Sequence, residues 1–367
     1  MPFVSIDHNE LRRFAAGVFA ATGSAREEAE TVANHLVEAN LRGHDSHGVG
    51  QIPMYVEDRL AGELHPNRHV ELIRDDRPFG VFDGGMGYGH VLAREATEWG
   101  IARAQAAGVS LIALRRSYHL ARLGAYAEMA AATSLVAILF VNVLAGRQKV
   151  APFGGADGRL QTNPIAIAIP GSGDRLPVVL DFATSRVALG KVRVAYNERR
   201  PVKPGTLVDQ AGMPSIDPAV MFAKPFGSLL PFGEHKGYGL GLMCELLAGA
   251  LIGGPANDRS ALARNGVVNN LFGIIVDPTR FGDLATFQAQ VDAIVAHMKA
   301  SPPANPDEPV LVAGEPEARA RASPHDRCPG RRDQLAGDCC GGREGRRRGR
   351  LSRLLDKLKR SPSLDSR

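Results

Sequence analysis

From about residue 70 onward, apolar runs of strand length alternate with segments of helical period, and this constrains the fold more than any single motif. "FGVFDG" reads as a strand, "HVLAREATEWGIARAQAAG" as a helix, "VSLIALRR" as a strand and "LGAYAEMAAATS" as a helix. "LVAILFVNV", "NPIAIAIPG" and "PVVLDFATS" follow as apolar strands, and "GYGLGLMCELLAGALIGG" as a long buried helix. "LFGIIVD" is a last strand, followed by the amphipathic helix "FGDLATFQAQVDAIVAHMKA". Strands separated by helices argue for an α/β core. Two domains are expected from 367 residues, because single cores usually stop growing near ~250–300 residues.

The chain before residue 70 has a different texture and reads as a small helical unit. "DHNELRRFAAGVFAATG" places Leu11, Phe14, Ala15, Val18 and Phe19 on one helical face. "SAREEAETVANHLVEANLRG" opens with Ser24 and Glu27 as a capping box and closes at Gly43. A third helix, with Ser46 as its N-cap, runs through "SHGVGQIPMYVEDRLAG" to about Gly62.

The tail is different again. From Ser323 onward it holds 13 of the chain's 44 Lys/Arg and 6 of its 39 Asp/Glu, leaving 31 against 33 before it. The net charge of +5 therefore belongs to the tail, and the body gives no electrostatic case for nucleic acid. Three of the four cysteines also lie there, so Cys244 alone in the body argues against a disulfide framework. The reading for 323–367 is a basic disordered arm or, preferred for its Arg-, Gly- and Cys-rich texture, a coding frame shifted near Arg321. No run approaches the roughly 20 apolar residues of a membrane helix. "MPFVSIDHNELRRF" carries no signal pattern, so a cytoplasmic protein is expected.

Several constellations can carry chemistry. In "RGHDSHGVGQ", His44 and His47 stand three apart and could share a helix face, but no third metal ligand follows nearby. An acid/base role for His47, in the first turn of the third helix beside Gly48 and Gly50, fits better. There the positive helix end would favour the neutral imidazole. A junction histidine satisfied by local hydrogen bonds would look the same. In "RRSYHLARLG", His119 and Arg122 lie at i and i+3 where a strand turns into a helix. A histidine to move a proton and an arginine to clamp a carboxylate are what 2-oxo acid chemistry requires; a solvated first turn is the alternative.

"DGGMGYGHVLAREA" fails the Rossmann fingerprint, because His90 stands where the third glycine should. In "FGEHKGYGLGLMCELL", Lys236 and free helix-terminal amides favour an anion such as a nucleotide phosphate. "VVLDFATSR" ends a strand at Asp181, with Thr184 and Ser185 ready to donate; a capped strand-to-helix junction would read alike.

"RGHDSHGVG", "APFGG", "LQTNPIAIAIPG", "VVLDFATSRVALGK", "GSLLPFGEHKGYGL" and "VLVAGEPE" occur in colinear order between about residues 5 and 321. Together they resemble the type 2 malate/L-lactate dehydrogenases, and most of all the hydroxycarboxylate dehydrogenase B branch. The resemblance implies a non-Rossmann α/β fold: a helical part, 1–70 joined by helices near 283–322, beside an α/β domain, 71–282, around a mixed sheet. It implies a homodimer that uses NAD or NADP to interconvert 2-oxo and 2-hydroxy acids by hydride transfer between nicotinamide C4 and substrate C2. The expected partners are a small-molecule substrate and a second copy of the chain, with no membrane, nucleic acid or metal.

Carried over by position, His47 matches the family's proton donor, and His119 a histidine given that role in some relatives. Ser46, Arg122, Thr162 and Asn163 are implied on the substrate side. Asp181, Phe182, Ala183, Thr184 and Ser185, then His235 and Lys236, then Gly314, Glu315 and Pro316, match cofactor-binding stretches. There are two departures: Gln51 lies where many relatives carry an arginine, and the tail replaces the family's final helix. Reduction of a cyclic imino acid, or oxidation of ureidoglycolate, is the alternative on the same scaffold. An inactive homologue or a tail-mediated nucleic-acid binder is the alternative of another class.

Overall fold

The computed structural model describes residues 4–173, 175–254, 266–322 and 327–330. β1 (Val4–Asp7) leads into α1 (His8–Ala21) and α2 (Arg26–Leu41); two short 3-10 turns, Asp45–His47 and Val49–Gln51, precede α3 (Ile52–Leu60). β2 (Glu71–Asp76) and β3 (Phe79–Asp83) open the main sheet, followed by α4 (Gly89–Ala107), β4 (Val109–Ser117) and α5 (Gly124–Ala131). β5 (Val136–Leu144), β6 (Ile165–Ile169) and β7 (Val178–Phe182) come next. α6 (Leu189–Asn197) and the short strands β8 (Leu207–Val208), β9 (Pro214–Ser215) and β10 (Ser228–Leu229) form a side lobe. α7 (His235–Glu245) continues as a π-helical stretch, Leu246–Leu251. β11 (Val268–Val276), α8 (Leu284–Lys299), α9 (Glu315–Ala322) and β12 (Arg327–Gly330) complete the described chain.

The seven-stranded sheet runs β2-β3-β4-β11-β5-β6-β7. Among its strands only β3 and β4 pair in parallel, so the sheet is mixed, as the resemblance implied. β11 inserts between β4 and β5, which come more than a hundred residues earlier, and its "VNNLFGIIV" run is almost wholly buried. A strand covered on both faces reads as a continuous apolar run, which explains why it was legible. Edge strand β2, "ELIRDD", is exposed throughout and keeps charges on an open ladder. It has no apolar period, and the sequence reading missed it.

Two cores hold the frame. Leu11, Ala15, Val18 and Phe19 of α1 pack with Val32, Leu36 and Val37 of α2, Tyr55 and Val56 of α3, and Tyr88 and Tyr118. Burying Phe19 completely contributes roughly 2–3 kcal/mol. The alanine-rich faces of α4 and α5 cover the sheet at Ile112, Leu114, Leu139, Ala166 and Leu271. α8 lies against the turn after β6 through Gln288, which donates to the Gly171 carbonyl at 2.9 Å, and through Arg175–Asp292 at 3.2 Å. α9 docks on α2 instead, where Arg321 donates to Glu38 at 3.0 Å.

Several local expectations need correction. Phe14 is 45% exposed and off the α1 face. α2 starts at Arg26 behind Ala25, which has no side chain to cap with, so Ser24 and Glu27 form no capping box. Ser46 does not cap α3: extended Gly48 (φ −92°, ψ −157°) interrupts the helical run, and α3 begins only at Ile52. The helix at 235–251 is only half buried, with Met243, Leu246 and Leu251 at 41%, 46% and 64% exposure. Residues 118–123 form a loop, so His119 and Arg122 precede α5 and are not on it. The tail beyond Gly330, and 323–326, lie outside the described residues. Between these two segments, Arg327–Gly330 is described and pairs antiparallel with β1. No described helix is long and apolar enough to cross a membrane.

Candidate active site

His47 sits in a turn wired by its neighbours. Its amide donates to the His44 carbonyl at 2.9 Å, and Ser46 Oγ meets its Nδ1 at 2.9 Å. Asn40 Nδ2 donates to Asp45 at 2.6 Å, while Asn40 Oδ1 accepts the Val49 amide at 2.8 Å. A Cβ on Gly48 would fall 2.1 Å from that Asn40 oxygen, so this close approach admits only glycine. Gln51 donates from Nε2 to the Ser46 carbonyl at 2.5 Å and so braces the turn.

His119 arrives from the loop after β4, which is pinned at several points. Tyr118 Oη donates to Asp58 at 2.6 Å, Leu120 N to Asn269 Oδ1 at 2.9 Å, and Tyr126 Oη to the Leu120 carbonyl at 2.7 Å. Gly89 lets α4 approach: a Cβ there would meet the His119 and Tyr118 carbonyl oxygens at 2.4 and 2.6 Å. The His47 and His119 rings stack, with centroids 5.7 Å apart and planes 15° from parallel. Tyr55 Oη lies 2.6 Å from His119 Nδ1, leaving Nε2 without a partner among the described residues. The two histidines, 72 positions apart in sequence, thus form one site.

Both imidazoles are neutral near pH 7. Burial, assisted by the charges of His44 and Arg122, pushes His47 down to about 4. Burial, then the neighbouring His47 and His35, pushes His119 down to about 3. The neutral form expected for His47 is therefore present, but its cause is burial and not a helix terminus. Each residue keeps part of its surface open to solvent.

Arg122 is 4% exposed and is gripped by Glu128 through two bonds, at 2.9 and 2.6 Å; Arg42 approaches the same carboxylate at 3.4 Å. Asp181 lies beside it and accepts the Gly124 amide at 2.7 Å. Burial raises the Asp181 pKa, opposed by that amide and by Arg122. His44 faces Glu317 of α9 at 3.2 Å, closing the site on the C-terminal side.

The remaining stretches lie along β7 and just beyond its end. Thr184 donates from its amide and from Oγ1 to the Thr162 carbonyl, at 2.9 and 3.1 Å. Ser185 Oγ donates to the Val187 carbonyl at 2.9 Å, and the Phe182 ring meets Phe232 edge-on at 5.4 Å. Ala183 stands between them, half-buried. Phe232 N donates to the Thr184 carbonyl at 3.1 Å, which carries His235 and Lys236 to the same place. Val179 N donates to the Ala313 carbonyl at 3.1 Å, bringing Gly314 (φ +92°), Glu315 and Pro316 alongside. Glu315 is committed to Lys299 and to the Val312 amide.

Asn163 does not line a cleft. It is fully buried and every side-chain hydrogen-bonding atom serves the fold. The amides at the start of α7 are not free either, since Lys236 N and Gly237 N donate to Gly233 and Phe232. Side-chain donors remain: His235 and Lys236 stand exposed there, with no carboxylate partner among the described residues. That donor set fits the phosphates of a dinucleotide. Among the described residues no three His, Cys, Asp or Glu side chains converge as metal ligands.

Sequence reasoning did not find Tyr55, Glu128, Glu317 or Asn269. Their partners lie elsewhere in the chain or off helical spacing, so only the fold reveals them. Glu245 did leave a signal, a lone acid inside the apolar run "LMCELLAG".

A family model described as malate/L-lactate dehydrogenase matches residues 6–327. The chain is 43% identical over 317 residues to hydroxycarboxylate dehydrogenase B of Escherichia coli K12, covering 86% of this chain and 87% of that one. It is 38% identical over 327 residues to the L-lactate dehydrogenase of Cupriavidus necator, covering 88% and 93%. Among solved structures, the sulfolactate dehydrogenase of Methanocaldococcus jannaschii superposes with a TM-score of 0.81 at 29% identity, covering 97% of this chain and 98% of that one.

Proposed function

The chain belongs to the malate/L-lactate dehydrogenase family, and on that premise we propose that it uses a nicotinamide dinucleotide to interconvert 2-oxo and 2-hydroxy acids, with His119 as the proton-transferring group. The dinucleotide, when bound, supplies or removes the hydride. Lys236 and His235 would hold its phosphates, with the Asp181–Ser185 stretch beside them.

The observation that carries the assignment is the 2.6 Å contact between Tyr55 Oη and His119 Nδ1. A hydroxyl can donate to a neutral ring or accept from a charged one. Tyr55 therefore supports both states of a base that must gain and lose a proton, and keeps Nε2 directed at the substrate oxygen. Burial holds the Tyr55 phenol well above its ordinary pKa, so it orients the ring and does not itself ionise. A charge on His47 opposes one on His119, so the stacked pair works as a one-proton site. The substrate's carboxylate, entering between His119 and the Arg122–Glu128 pair, would favour the charged ring and draw in the proton that reduction consumes. His47, anchored by Ser46, would hydrogen-bond the same substrate.

The test is loss of the reduced-cofactor absorbance, with NADH and NADPH separately, against 2-oxo acids from pyruvate and oxaloacetate to phenylpyruvate. Turnover on several, with one cofactor favoured, is the expected result and fixes the NAD or NADP preference. Turnover confined to cyclic imino acids or ureidoglycolate would overturn it.

The homodimer belongs to the same proposal. Support comes from Met243, Leu246 and Leu251, an exposed apolar strip on α7 and its π-helical extension. Light scattering should give twice the chain mass of 39.1 kDa; a monomer across the micromolar range would rule the dimer out.

A further inference from the structure

A buried polar knot lies beneath the candidate cofactor stretches. Glu245, 4% exposed, closes α7 at the point where the helix widens to π geometry. Its Oε1 accepts from Asn163 Nδ2 at 2.8 Å and its Oε2 from Asn142 Nδ2 at 3.3 Å. Asn163 Nδ2 also donates to the Gly241 carbonyl of α7 at 3.1 Å, and its Oδ1 accepts the Val143 amide at 3.1 Å. Asn142 Oδ1 accepts from Asn270 at 2.7 Å, and Asn270 Oδ1 from the Arg116 amide at 2.9 Å, at the base of the loop that carries His119.

A buried charged side chain is retained against its desolvation cost only when its partners are well placed. The geometry here gives the knot a task. Asn163 holds an uncommon backbone conformation (φ +26°) beside Thr162, whose carbonyl takes both Thr184 bonds. Through Asn163, Glu245 is thus tied to the Asp181–Ser185 stretch. Through α7, about 15 Å long, it is tied to His235 and Lys236 at the other end.

We propose that Glu245 is a positioning residue for the dinucleotide: its bonds to Asn163 and Asn142 set α7, and with it His235 and Lys236, against the Asp181–Ser185 stretch. This rests on the cofactor reading above. Glu245→Gln is the sharp variant, because the two Asn groups facing it are both donors. One must then meet the new amide nitrogen. Neither can turn over without losing Asn270 or the Val143 amide.

The experiment is fluorescence titration of the full chain with NADH and NADPH, alongside steady-state kinetics and a thermal melt. Glu245→Gln should fold and raise both Kd and KM for the dinucleotide about 10-fold, while kcat at saturation changes less than about 3-fold. An unchanged Kd in a folded variant would overturn the proposal. If Glu245→Gln does not fold, Asn163→Ala is read in the same way, and failure of both to fold assigns the knot to stability alone. If the unsubstituted chain binds neither dinucleotide, the cofactor reading fails and not merely this step.

Discussion

His119→Ala is expected to lower kcat by about 10²–10⁴, the usual worth of a positioned acid, while the dinucleotide still binds. The loss should fall on kcat and kcat/KM together, because the Nε2 proton matters only as charge develops on the C2 oxygen. His47→Ala should cost less, about 10–100-fold, as for one hydrogen bond to a charged group. Tyr55→Phe separates positioning from chemistry: the ring of residue 119 remains but its Nδ1 loses the 2.6 Å partner. That variant should keep part of the rate and move the pH profile, whereas a residue that only filled space would leave the profile in place. Steady-state kinetics across pH 5–9 on the three variants checks all of this. The opposite order of losses would transfer the acid to His47. Near-normal turnover in both histidine variants would remove the pair from the mechanism.

Legibility followed burial and locality. β4, β5, β6 and β11 were readable because sheet burial forces apolar residues on them; β2, exposed along its whole length, had no such constraint. The sheet order was not readable, since nothing local in "VNNLFGIIV" specifies a place between β4 and β5. His47 and His119 were both identifiable as chemistry, yet their stacking depends on the α3 and β4 ends meeting, through Tyr55 among others. Ser46 misled because a serine before a helical pattern looks like a cap; the extended Gly48 and the Asn40 amide pre-empt it. In the sequence Arg122 reads as a clamp for substrate, but Glu128, six residues on, holds it in the structure and falls outside the i+3 and i+4 spacing of helical pairs.

The same buried imidazoles should make the fold acid-sensitive. His35 and His119 are pushed down to about 3 and His47 to about 4, mainly by burial, and His90 well below its ordinary value for the same reason. In the unfolded chain these rings titrate near 6.5. Below that pH the unfolded state binds protons that the folded state refuses, so stability falls as pH drops from about 6.5 toward the folded values. At pH 5 a fully depressed ring costs about 2 kcal/mol, and about half that where water still reaches part of it, as at His35, His47 and His119.

With His90, which is 1% exposed, the sum is about 5 kcal/mol, comparable to the whole stability of many domains. Burial raises Glu28, Asp45, Asp181 and Glu245, so their folded forms take up protons first and return part of that loss as the pH falls further. Urea titrations at pH 7.5, 6.5, 5.5 and 5.0 should therefore show the midpoint falling steeply below 6.5. His90→Phe should flatten the dependence, because neither ring nitrogen of His90 has a partner to lose among the described residues. A midpoint that stays level from pH 7.5 to 5.0 would mean the rings are protonated in the folded chain. The neutral, stacked His47–His119 pair on which the proton transfer depends would then not exist as described.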